Sequence, residues 1–146
     1  MMGMFKIKAY TTHFKQAIAY ASPSVGVNDT YGEGVEIKLP QNSIVLYIDV
    51  MFDGLTEGEV QTVKLEFKFS DGSTGTHELV ASSKEGPVVK KQVTAFELYW
   101  AMGGSFSLYQ GSASKQIVSI TAYAKSNLSS TPNAIPYVLV HYITPE

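Results

Sequence analysis

The side chains able to do acid–base or metal chemistry are few and scattered. Three histidines, His13, His77 and His141, lie far apart in the 146-residue chain, whereas a histidine metal site needs convergent ligands backed by a second shell. They read as solvent-facing or hydrogen-bonded structural histidines. There is no cysteine, which removes disulfides, thiolate metal sites and Cys nucleophiles together. The closest approach to a strained serine turn, Gly103-Gly104-Ser105-Phe106-Ser107, lacks the second glycine of G-x-S-x-G. The same Gly103-Gly104 pair is not followed by Lys-Ser/Thr, so it makes no phosphate loop. Glu36, Asp49, Glu66, Glu78 and Glu97 fall on strands or at a cap, with Glu66 between Lys64 and Lys68 as in ordinary surface alternation. Loops 28–33 (Asn28, Asp29, Glu33) and 53–59 (Asp53, Glu57, Glu59) carry oxygen ligands suited to Ca²⁺, but without EF-hand spacing. The sequence therefore assigns no catalytic residue, no cofactor and no metal ligand. For a sugar ligand, Tyr99, Trp100, Tyr31, Tyr109 and Tyr123 are the candidate stacking platforms, although a lone Trp in an apolar run is expected in the core.

Charge narrows the field further. All eleven basic residues are lysine, against thirteen acidic ones, for a net charge of −2. Nucleic-acid and phosphate recognition favour the planar, bidentate guanidinium, which this chain lacks, so no nucleic-acid partner is expected. The start, MMGMFKIKAYTTHFKQ, has no apolar run behind its lysines that would serve as a signal-peptide core. Nothing approaches the ~18 apolar residues of a membrane span. The expectation is a chain with neither leader nor membrane anchor.

The elements that must position any site are strands. In 60–70, Val63, Leu65, Phe67 and Phe69 alternate with Lys64, Glu66, Lys68 and Ser70, which predicts one core face and one wet face. Asp71-Gly72 then turns the chain into THELVA at 76–81 as a hairpin. Further strands are predicted at 5–10, 35–39, 43–52, 87–93, 105–110, 115–124 and 137–143. Segment 13–21 fits a strand or a helix and is read as a strand. At 94–102, Thr94 and Glu97 have capping-box spacing ahead of Gly103-Gly104, so a short helix is predicted, although Phe96, Leu98 and Trp100 also alternate. Eight or nine antiparallel strands broken by Gly, Pro, Asn and Ser give an all-β class, a two-sheet sandwich or jelly roll. It forms one domain over 1–146, with 1–30 as an extended N-terminal arm.

Simple alternation fails in three strands. In 43–52 the odd positions Val45, Tyr47 and Met51 form a second apolar face broken by Asp49 alone. In 137–143, Val138, Val140 and Tyr142 lie opposite Tyr137, Leu139, His141 and Ile143, and in 115–124 the second face is Val118, Ile120, Ala122 and Ala124. A strand apolar on both sides is covered by its own chain or by another subunit. The subunit reading makes Val45, Tyr47, Met51, Val138, Val140 and Tyr142 an interface, and it suits a chain rich in Tyr and poor in charge.

With a start at MMGM, no Cys, doubly apolar strands and Ser/Thr/Gly/Asn loops at 22–34 and 125–136, the chain resembles, at class level and without a motif, the small β-sandwich and jelly-roll accessory proteins of virions: capsid decoration, turret or fibre proteins. The resemblance implies a non-enzymatic structural role in a virion, partnered by copies of itself or by other capsid proteins. The alternative is a carbohydrate-binding or adhesive module that uses loop aromatics.

Overall fold

A computed structural model describes residues 14–101 and 116–145, with backbone alone at 99–101. The described elements run β1 (Phe14–Ala21), β2 (Val25–Gly26), β3 (Val35–Lys38), β4 (Ile44–Asp53), β5 (Val60–Phe69), β6 (Thr74–Ser82), a 3-10 turn (Ser83–Glu85), β7 (Val88–Thr94), α1 (Ala95–Ala101), β8 (Ile117–Ser126) and β9 (Ile135–Pro145). They build two sheets. The first is ordered β1-β9-β4-β7 and is antiparallel throughout; the second is ordered β2-β8-β5-β6, with β3 pairing β8. Within the second sheet only the two-residue β2 runs parallel to its neighbour. This is the all-β sandwich that the alternation predicts.

The core lies between the sheets. Ile48, Val50, Phe52, Val138 and Val140 face Val63, Leu65, Phe67, Ile120, Ala122 and Ala124, all completely buried. Burying each of the larger side chains contributes about 2 kcal/mol. Segment 14–21 is a strand because it pairs along its whole length with β9, from Phe14 opposite Pro145 to Ala21 opposite Val138. Of the predicted arm 1–30, residues 14–26 thus carry strands in both sheets, and 1–13 lie outside the described residues. The predicted strands 5–10 and 105–110 also lie outside them.

Local signals behave as their chemistry requires. Gly72 turns β5 into β6 at φ +87°, while the Asp71 carboxylate accepts from the Ser73 amide at 2.9 Å. At α1 the Glu97 amide donates to Thr94 Oγ1 at 3.2 Å and the Thr94 amide to Glu97 Oε2 at 2.9 Å, a complete capping box. The open end of the sandwich is tied by a buried carboxylate: Glu59 accepts from the Thr56 amide (2.9 Å), Gln61 Nε2 (2.8 Å) and Ser126 Oγ (2.7 Å). Glu59 belongs to the loop that offered oxygen ligands in the sequence; here its lone pairs go to the loop and to β8.

Candidate interaction face

Pairing registers decide which side chains share a surface, since directly opposed residues in a ladder point the same way. Across the first sheet one outer row is Ile18, His141, Tyr47 and Thr94; the next is Tyr20, Leu139, Asp49 and Gln92; then come Tyr137, Met51 and Lys90, and finally Ile135, Asp53 and Val88. Ile18 is 59% exposed, Tyr20 56%, Val88 52% and Ile135 50%. Tyr47, Met51, Tyr137 and Leu139 are half-buried by one another. Tyr20 and Tyr137 pack with ring centroids 5.9 Å apart.

Asp49 stands at the centre of this apolar surface and is nonetheless only 6% exposed. Gln92 Nε2 donates to its Oδ1 at 2.8 Å, and the Lys90 ammonium stands 3.8 Å from the same oxygen. His141 Nε2 lies 3.2 Å from Oδ2 but out of line for a hydrogen bond, because the imidazole stacks on the Tyr47 ring at 4.1 Å and 18°. Burying a carboxylate is costly unless it is paired, and here strands on either side supply the partners. Beside the pair, a hollow of about 320 Å³ opens between Ile18, Leu46, Tyr47, His141 and Tyr142.

The expected interface residues divide between two sides. Tyr47 and Met51 lie on the outer face. Val45, Val138 and Val140 are at most 1% exposed in the core, so these three form no outer surface, while Tyr142 is partly buried, packs against that core and also lines the hollow. Two physical reasons account for the correction. A β-bulge leaves Leu46 without a place in the register, with Val45 opposite Tyr142 and Tyr47 opposite His141, so the odd positions of β4 change sides midway. In β9 the inward set is the even one, and the outward residues are Tyr137, Leu139 and His141. Of the expected second apolar face of 115–124, Ile120, Ala122 and Ala124 point into the core, whereas Val118, skipped by the register shift between Ile117 and Ser119, is 39% exposed; Ser119, Thr121, Tyr123 and Lys125 point out.

The outer face of the second sheet has the opposite character. Thr62, Lys64, Glu66 and Lys68 of β5 are flanked by Thr74, Thr76, Glu78 and Val80 of β6. Loop 27–34 lies on this face, where Tyr31 donates to Glu78 Oε1 at 3.1 Å and meets Tyr123 edge-on at 6.4 Å. The Lys64 ammonium is 4.6 Å from the Tyr31 ring and 4.7 Å from that of Tyr123, and Lys125 is 4.9 Å from Tyr31. Burial, then the hydrogen bond to Glu78 and its charge, push the Tyr31 phenol up to about 12. Gly34 lets the loop come this close, since a Cβ there would sit 2.5 Å from the Tyr123 ring.

The remaining candidates do not converge. His77 pairs with Leu65 on β6, in the other sheet from His141, and His13 lies outside the described residues. Among the described residues no three His, Asp or Glu side chains are grouped to hold a metal. The side chains of Tyr99 and Trp100, and Tyr109 entirely, lie outside them too. No described helix is long and apolar enough to cross a membrane. The Asp49–His141 contact is the feature that sequence reasoning missed; its signal was the single charge interrupting the Tyr47/Met51 side of β4.

No protein-family model matches the chain, and no curated protein matches it. Among solved structures it is similar to the VP2 subviral particle of infectious bursal disease virus, at 10% identity and a TM-score of 0.37 over 92% of this chain and 32% of that one. It is also similar to the T13 particle of that virus (13%, 0.25, 93% and 41%) and to its Gt strain (11%, 0.22, 94% and 43%). The chain spans about a third to two fifths of the length of these proteins, and at such scores the likeness carries no argument about function.

Proposed function

We propose that this chain is a non-enzymatic structural subunit that enters a larger assembly through the outer face of its first sheet, and that the assembly is a virion, with the chain as a capsid decoration or minor structural component. The observation that carries the reading is the difference between the two outer faces: one presents Ile18, Tyr20, Ile135 and Val88 to solvent at half exposure or more, with Lys90 and Asp53 on two of its rows, the other presents mainly lysine, glutamate and threonine, with Val80 the exposed aliphatic among them. A monomer has no use for a broad apolar surface around a dehydrated carboxylate, whereas a contact face does. The class-level likeness of the sequence to virion accessory proteins supplies the setting. The carbohydrate reading is disfavoured at Tyr31 and Tyr123, whose rings already carry the Lys64 ammonium.

Hydroxyl-radical footprinting of the chain in its native particle, compared with the purified chain, tests this. Tyr20, Met51 and Tyr137 should be protected in the particle while Tyr31 and Tyr123 react as before. Equal labelling of the first three in both samples overturns the proposal.

A further inference from the structure

We propose that Tyr20 and Tyr137 form an oxidative cross-linking site, at which a peroxide-driven one-electron oxidant joins the two rings as a dityrosine within the chain and so ties β1 to β9.

The ladder brings the pair together. Tyr20 stands opposite Leu139, and Tyr137 lies two residues away on the same strand and face, so the two side chains are diagonal neighbours. Their ring centroids are 5.9 Å apart, with the planes inclined by 31°. Tyr20 is 56% exposed and Tyr137 half-buried, so the pair opens to solvent. The other tyrosine pair among the described residues is set against coupling. Tyr31 and Tyr123 meet edge-on at 66° and 6.4 Å, the Lys64 ammonium lies against both rings, and the Tyr31 hydroxyl is tied to Glu78.

Each phenol gives one electron and its hydroxyl proton to the oxidant, leaving two phenoxyl radicals. Radicals held side by side couple within one chain sooner than between dilute chains. A carbon–carbon bond forms between the positions ortho to the two oxygens, and the hydrogens displaced from those carbons return to the oxygens, restoring both aromatic rings. Hydrogen peroxide takes up the two electrons and two protons and leaves as two waters. The chain thus loses two hydrogens and gains one bond.

The linkage falls where the fold has a use for it. β1 is the edge of its sheet, paired in the ladder with β9 alone, and the chain has no cysteine with which to pin it. Tyr20 and Tyr137 lie over a hundred positions apart in sequence. Joining them removes loop-closure entropy from the unfolded chain, as a disulfide of that span does.

The test treats the purified full chain, at low micromolar concentration, with a haem peroxidase and hydrogen peroxide, and isolates the monomer. That monomer should show dityrosine fluorescence and an intact mass lower by two hydrogens. Peptide mapping should join the peptide carrying Tyr20 to the one carrying Tyr137, and the linked chain should unfold at a higher urea concentration than the unlinked one. Tyr20→Phe and Tyr137→Phe should each abolish the fluorescence of the monomer, while Tyr31→Phe leaves it in place. The phenylalanine variants keep the ring and lose only the hydroxyl, so the fold should persist, which circular dichroism checks; the peptide map of the wild type decides the matter without them. Dityrosine found only between chains overturns the proposal, as does a monomer linkage that maps to another pair or survives Tyr20→Phe.

Discussion

The two outer faces are built on the same kind of strand, alternating and antiparallel, and they differ in what each does with its charges. On the second sheet, lysines and glutamates lie in the open: Lys38 stands 3.8 Å from Glu36, and Lys64 reaches across Tyr31 and Tyr123. On the first sheet the central charge is withdrawn beneath its neighbours, Ile18 and Tyr20 project on one side of it, and the open charges are Lys90 and Asp53. Solvated charge keeps a surface free of partners, because covering it costs desolvation; a dehydrated, internally paired charge removes that barrier before contact. The difference separates a face that stays wet from one prepared to be covered.

The sharpest way to break the comparison is to test which side of the first sheet is inside. Val140→Lys places an unpaired charge in the core and should cost more than about 4 kcal/mol, leaving the chain unfolded, whereas Ile18→Lys on the outer face should change stability by less than about 1 kcal/mol in urea titrations. Equal tolerance of the two would mean that the faces are misassigned. Next in size is Glu59→Ala, which strips three donors of their acceptor at the buried end of the sandwich and should destabilise by about 3 kcal/mol. On the wet face, Lys64→Met removes the cation shared by Tyr31 and Tyr123 and should cost about 1 kcal/mol or less, with the association state unaltered.

The smallest effects are those of pH. The raised Tyr31 phenol stabilises the fold fully below pH 10, its ordinary value, and that contribution disappears as pH rises through about 12. Alkaline absorbance titration of wild type against Tyr31→Phe should show the missing phenol ionising at about 12. Glu85 shifts in the other direction, lowered chiefly by its hydrogen bond from the Lys91 ammonium. Its contribution is present above the ordinary carboxylate range and lost as pH falls through the depressed value, and Lys91→Gln should return that carboxyl towards normal in an NMR titration.

Much of this was legible in the sequence. Strand β5 reads off its alternation because one of its faces is wet, and the Thr94–Glu97 box announces α1 because capping is a local interaction. The presence of a second apolar face on β4 was also legible; its membership was not. Alternation within one strand fixes which residues go together, but which set faces inward is decided by pairing with other strands, and Tyr142 opposite Val45 is a contact between residues almost a hundred positions apart. The Asp49–His141 contact was hidden for the same reason. Glu59 looked like a calcium ligand because a loop acidic residue and a buried hydrogen-bond acceptor are spelled alike.

The bulge at Leu46 bears on how this protein can change length. Val45 opposite Tyr142 and Tyr47 opposite His141 are consecutive rungs of the ladder, with Leu46 as the surplus residue between them. A deletion of Leu46 would leave every other side chain of β4 on its present side, while the same deletion further along would turn the rest of the strand inside out. Such a deletion would also take away one wall of the hollow beside His141. Length variants among relatives of this chain should therefore collect at this position, flattening or deepening the contact surface while the core remains in place.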